Sequence, residues 1–152
     1  MKRRTVNYFK TTLYASSINE GYARVAVSAF ASQLDPTVEE IADIKTAVSE
    51  AVTNCIVHAY KNEQEEKKKK ILLEASYDEA GNFTVSVKDK GCGISDIKRA
   101  MEPLYTTDAE NERSGMGFSI MESFTDSLRV RSREGKGTTV TMTKHLQPKK
   151  GL

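Results

Sequence analysis

The sequence predicts an α+β fold: a two-layer sandwich with helices on one face of a mainly antiparallel, mixed sheet. Three observations lead there. Strand-type runs rich in β-branched and aromatic residues stand at the start, middle and end of the chain; two helical stretches follow the first strand back to back; and the later strands come as pairs joined by short turns. The 152 residues fit one domain, residues 1–152, that hides roughly 70% of its unfolded surface, with a tail from about residue 147 expected to be disordered.

The first strand is expected over Val6 to Tyr14. "SSINEGYARVAVSAFASQLD" begins a helix with a possible capping box, Ser17 and Glu20, and ends it near Leu34. Pro36 and a second box, Thr37 with Glu40, start another helix that runs to about Lys61. The charged "KNEQEEKKKK" reads as a solvated loop or a frayed helix end. "ILLEASYDEAGNFTVSVKD" gives two strands turning at Asp78 to Asn82, where Gly81 supplies a permissive backbone. After "DKGCGI" come a short helix around Asp96 to Met101 and a polar, poorly periodic loop, Thr106 to Ser114, that is the lid candidate. "GMGFSIMESF" opens a third long helix, and "SLRVRSREGKGTTVTMTKHL" is a last hairpin turning at Glu134 to Gly137.

Bulk composition excludes several classes. With 38% hydrophobic and 29% charged residues the chain has the balance of a soluble globular protein. A formal charge of +2 does not argue for a nucleic-acid partner. Asn7, Lys10, Thr11 and Thr12 interrupt any apolar core near the start, so neither a signal peptide nor a membrane span is expected and the location reads as cytoplasmic. Cys55 and Cys92 lack metal-ligand spacing and read as free thiols.

The informative stretch is "SEAVTNCIVHAY". At about 100° per residue, taking Glu50 as zero, Asn54 lies near 40° and His58 near 80°, while Ile41, Ile44, Val48, Val52, Cys55 and Ala59 cluster between about 120° and 200°. The trio therefore looks away from the core, which by itself describes the wet side of any amphipathic helix. Three later segments give it company. Asp89, Gly91 and Gly93 form D-x-G-x-G after a strand, where missing Cβ atoms allow a close backbone approach, although a plain turn has the same composition. Gly115 and Gly117 open a helix whose free N–H groups suit phosphate, and equally suit a flexible loop. "GKGTTV" starts the last strand and is compatible with a bare hairpin turn. Each signal is weak alone; their order within one small domain is not.

That ordered set resembles the N, G1, G2 and G3 boxes of the GHKL ATP-binding (Bergerat) superfamily, which has no Walker motif. Longer stretches, "YARVAVSAFASQLDPT", "IKTAVSEAVTN", "PLYTTDAENERSGMGF" and "GKGTTVTMTKHL", are similar to the stand-alone anti-sigma serine kinases of the sporulation switch. The resemblance implies ATP/ADP and Mg²⁺ as cofactors, with Asn54 as the Mg²⁺ ligand and Glu50 as general base. It implies that Asp89 accepts from the adenine amino group, that Gly91 and Gly93 make room for the base, and that Thr139 offers a hydroxyl nearby. Arg113 is assigned to the γ-phosphate, Gly115 and Gly117 to the phosphates through their N–H groups, and Thr107, Ser114 and Met116 to the same nucleotide loop. His58 is left between a structural and a catalytic role.

The implied partners are a sporulation sigma factor, contacted through Arg24, and an anti-anti-sigma protein phosphorylated on serine, with the kinase itself a homodimer and no direct contact with nucleic acid or membrane. Where the family lid commonly carries Lys-Pro-Glu-Leu, this chain has Asp108 to Asn111, "DAEN"; Lys67 to Lys70 and Cys92 also depart from the pattern. An ATP-dependent sigma-binding module without transfer, and a detached histidine-kinase catalytic domain, are the competing readings.

Overall fold

Pairs of helices separate the strands, so the sheet is built from the start, middle and end of the chain. The computed structural model describes residues 3–102 and 117–146. The chain runs β1 (Thr5–Tyr14), α1 (Ile18–Ala31), α2 (Val38–Asn54), β2 (Lys70–Asp78), β3 (Asn82–Asp89), α3 (Ile97–Ala100), α4 (Gly117–Phe124), β4 (Ser127–Arg133) and β5 (Gly137–His145). The five strands are ordered β1-β2-β3-β5-β4. All four pairings are antiparallel, so the mixed sheet expected from sequence contains no parallel pair among the described residues. The reason is local: β3 and β4 run in the same direction, but β5 folds back from β4 and inserts between them.

Alternation decides which face is covered. Ile71, Leu73 and Ala75 on β2, Phe83, Val85 and Val87 on β3, and Val140 and Met142 on β5 are all buried beneath the helices. The residues between them, such as Ser86, Thr141 and Arg129, share the opposite face. Val27 of α1, Val48 and Val52 of α2 and Met121 of α4 complete the core. Phe30 on α1 stacks edge-on against Phe9 of β1 at 5.0 Å and lies 6.1 Å from Phe83, fixing α1 over the first three strands.

Helix starts separate the two capping boxes expected from sequence. Thr37 and Glu40 form a reciprocal box: the Glu40 N–H donates to Thr37 Oγ1 at 3.1 Å, and the Thr37 N–H donates to Glu40 Oε1 at 2.8 Å. Ser17 makes no such bond. It already has helical backbone angles, so its hydroxyl cannot reach back over the first turn; the chain enters α1 through backbone bonds from Asn19 and Glu20 to Ser16 and Ser17. Glu20 instead accepts the Ser49 hydroxyl from α2 and pairs with Arg24.

α2 also ends differently from the expected run to Lys61. Its α-helical winding stops at Asn54 and one wider π-helical turn, Cys55–Ala59, follows. The charged segment behind it contains a single 3₁₀ turn, Glu66–Lys68, and leads directly into β2. The described part of α4 is eight residues long. The expected lid, Thr106 to Ser114, and the expected disordered tail lie outside the described residues.

Candidate functional site

The glycines of "DKGCGI" show how the site is assembled. The end of the π turn leaves the Ala59 carbonyl without a helical donor, and the Cys92 N–H satisfies it at 2.7 Å. A Cβ on Gly91 would lie 2.0 Å from that same carbonyl oxygen, so only glycine lets the loop dock there. Gly93 has φ of 74°, and its Cβ position is occupied by the Arg133 carbonyl at 2.2 Å. Across the loop, the Ile94 N–H donates to Ser132 Oγ at 2.7 Å and the Gly135 N–H to the Cys92 carbonyl at 2.7 Å. The turn after β3 is thus fixed to the π turn on one side and to the β4–β5 hairpin on the other.

Between these parts lies an open cavity of about 320 Å³. Asn54, Cys55 and His58 line it from the end of α2 and the π turn; Asp89 and Gly93 from the end of β3 and its loop; Gly117 and Phe118 from α4; and Thr138 from β5. The fold therefore gathers Asn54, Asp89, Gly93 and Gly117 as the sequence expected. Glu50 stands one turn behind Asn54, beside the start of α4: a Cβ on Gly117 would lie 3.2 Å from Asn54 Oδ1 and 3.5 Å from Glu50 Oε2. Glu50 and Gly91 are not in the cavity wall itself. The solvated-face reading of Glu50, Asn54 and His58 gives way to a wall: Asn54 and His58 border the cavity, and Glu50 borders the α4 start.

Two further expectations resolve by position. Thr139 pairs with Lys88 and Arg131 on the face of the sheet away from the helices, whereas its neighbour Thr138 is buried and borders the cavity. Period-two alternation makes that choice, because Thr138 shares its side with Val140 and Met142. Arg24 lies on the exposed side of α1, its Nε 3.8 Å from Glu20 Oε1, well away from the cavity-lining residues. Thr107, Arg113, Ser114, Gly115 and Met116 lie outside the described residues.

Asp89 is the most constrained polar group in the wall. Its carboxylate is 6% exposed. Oδ1 accepts the Gly91 N–H at 2.9 Å and the Thr138 N–H at 3.2 Å, and Oδ2 accepts the Cys55 thiol at 3.5 Å. Burial lifts its pKa above the ordinary carboxylate range, and the Gly91, Cys55 and Thr138 donors oppose that rise. Burial pushes the Cys55 thiol well up, as does the Asp89 charge, so it stays protonated and able to donate. Tyr60 braces the same corner, accepting the Lys90 N–H at 2.9 Å and donating to the Lys70 carbonyl at 2.5 Å. Cys55 and Thr138 were missed from sequence. Cys55 sits on the apolar stripe by angle, yet its place beside Asn54 was a usable signal; for Thr138 the signal was strand alternation.

Chemically, the cavity offers a fixed buried acceptor in Asp89 and an amide in Asn54, with the Glu50 carboxylate beside Asn54 at the start of α4. Among the described residues no group of three or more His, Cys, Asp or Glu side chains gathers to hold a metal alone.

Comparison with known proteins gives this geometry its context. The profile described as the histidine kinase-like ATPase domain matches residues 16–144. The anti-sigma F factor of Thermoanaerobacter sp. (strain X514) is 52% identical over 140 residues, spanning 92% of this chain and 94% of that protein. The anti-sigma F factor of Clostridium perfringens (strain SM101 / Type A) is 51% identical over 140 residues, spanning 92% and 97%. Among solved structures, the RsbU and RsbW domains of Rv1364c from Mycobacterium tuberculosis superpose with a TM-score of 0.68 at 22% identity, over 95% of this chain and 34% of that one. The SiaB–SiaC complex of Pseudomonas aeruginosa gives 0.65 at 13% identity, over 93% and 90%. The two solved structures share the fold, while identity of about half along nearly the full length is shared descent: the chain belongs to the anti-sigma F factor family, within the GHKL superfamily of histidine kinase-like ATPase domains.

Proposed function

We propose that this protein is a cytoplasmic, homodimeric anti-sigma factor that captures a sporulation sigma factor and, as a Mg-ATP-dependent serine kinase, phosphorylates and inactivates its anti-anti-sigma partner. The observation that carries the enzymatic part is the convergence of Glu50 and Asn54 on the start of α4, with Asn54 bordering the same cavity as Asp89. The family names support the sigma-binding part. No helix among the described residues is long and apolar enough to cross a membrane, which is compatible with that location.

In this reading Asp89, held by two N–H groups and a thiol, accepts from the exocyclic amine of adenine, and Gly91 keeps the loop close enough for the base to seat. Asn54 fits Mg²⁺ as a hard oxygen donor, and the absence of a carboxylate cluster among the described residues suits an ion that arrives with the nucleotide's phosphates. When bound, the ion supplies charge neutralisation. Glu50 takes the proton of the incoming serine hydroxyl as its oxygen bonds to the γ-phosphorus and the bond to the bridging oxygen of ADP breaks. Arg113, which lies outside the described residues, is assigned to the γ-phosphate.

Exposed apolar side chains support the dimer. Ile18, Tyr22 and Val25 form an i, i+4, i+7 stripe on α1, next to Arg24, and are 80%, 57% and 63% exposed. We assign this face to the second protomer and the sigma factor together.

Transfer of labelled γ-phosphate from Mg-ATP to a purified anti-anti-sigma protein tests the kinase. Acid-stable label on serine is expected. ATP binding without any transfer would replace the kinase with a nucleotide-gated sigma-binding module, the reading that the "DAEN" lid sequence favours.

A further inference from the structure

We infer that Cys55 is a positioning residue for base recognition: its thiol holds Asp89 Oδ2 so that the carboxylate presents a fixed acceptor to a 6-amino purine and rejects a 6-oxo one. This rests on the reading of the cavity as an adenine nucleotide site.

The geometry separates the two carboxylate oxygens. Oδ1 is occupied from the backbone, by the N–H groups of Gly91 and Thr138. Among the described residues Oδ2 has one donor in reach, the Cys55 Sγ at 3.5 Å, which leaves lone-pair capacity for a ligand in the cavity that both residues line. Cys55 is 4% exposed and comes from the first residue after α2, where winding changes from α to π. A purely apolar side chain there would pack equally well but leave Oδ2 free to rotate or to take up a proton.

Protonation decides selectivity. An ionised Asp89 only accepts hydrogen bonds, which matches an exocyclic amine; a protonated one donates, which matches a purine carbonyl. Burial favours the neutral form, and the donors around Asp89, Cys55 included, hold it ionised. Among the described residues the other titratable group facing it is Tyr60, whose hydroxyl is committed to Lys90 and Lys70, and β5 contributes the Thr138 N–H. Loss of the thiol therefore raises the pH at which the carboxylate protonates and weakens its preference for adenine.

The experiment measures ATP and inosine triphosphate binding by calorimetry for the unaltered chain and for Cys55→Ala, Cys55→Val and Cys55→Ser, across pH 5 to 8, with thermal melting to verify folding. The preference for ATP should fall about tenfold in Cys55→Ala and Cys55→Val, the worth of one hydrogen bond to a charged acceptor. The acid limb of ATP binding should move to higher pH in both, and Cys55→Ser, which restores a donor, should recover the preference. Cys55→Val fills the space that Cys55→Ala empties without supplying a donor, so a preference lost in Cys55→Ala but kept in folded Cys55→Val would mark a packing effect and overturn the inference. ATP binding with the preference and acid limb unchanged in folded Cys55→Ala would likewise overturn this inference alone, whereas failure of the unaltered chain to bind ATP would overturn the nucleotide reading with it.

Discussion

Glu50 and Asn54 differ by one helical turn and divide the labour of the site. Glu50→Gln keeps the shape and removes the base, so phosphoryl transfer should fall by roughly 10²–10⁴ with ATP binding unchanged in calorimetry; equal transfer would remove Glu50 from the reaction. Gly91→Ala tests a different constraint. Its new Cβ would meet the Ala59 carbonyl at 2.0 Å, a backbone atom that cannot swing aside. The loop must lift off the π turn, costing about 1–3 kcal/mol, and both the melting temperature and ATP affinity should drop. At this scale the sequence was informative about chemistry and silent about facing. The family resemblance implied Asp89 as an acceptor, but its Cys55 partner lies 34 residues away and no local pattern pairs them.

Among the elements, the two capping sequences have the same signature and opposite outcomes. Thr37→Ala removes a side-chain acceptor that holds the Glu40 N–H and should cost about 1 kcal/mol in chemical denaturation. Ser17→Ala should change stability by less than about 0.5 kcal/mol, since Ser17 caps nothing. Equal losses would contradict the assignment. The difference was not legible because a Ser-x-x-Glu spacing does not fix the backbone angles of the serine, and tertiary demand on Glu20 from Ser49 outbids the local box. The π turn after Asn54 was equally hidden: periodicity reads through it, while docking of the Cys92 N–H onto Ala59 gives its end a partner.

At the scale of the molecule, α1 presents its apolar stripe outward while its other side is packed on the sheet. Substituting Tyr22 and Val25 together by Glu should convert the dimer to monomer in sedimentation velocity and weaken sigma binding, with little loss of thermal stability because neither side chain is buried. Unaltered chain that sediments as a monomer at working concentration would refute the dimer. Phe83, which is 1% exposed and touches the Phe30 ring, belongs to the opposite class. Phe83→Ala should cost about 3–5 kcal/mol, read as a lower denaturation midpoint.

The sequence by itself led to the strands, the helices, the apolar stripe of α2 and the order of the boxes, because these depend on residue types at characteristic periods and on glycine where the backbone must come close. From those boxes and the stretches around them it also led to the family. Tertiary structure alone decided the purely antiparallel sheet and the insertion of β5 between β3 and β4. It also brought Cys55 to Asp89 and freed Glu20 from Ser17. Each of these depends on which distant segment arrives alongside. Chain-distant neighbours are selected by burial and by the need to satisfy every buried donor and acceptor, and that selection leaves no local periodic trace in the sequence.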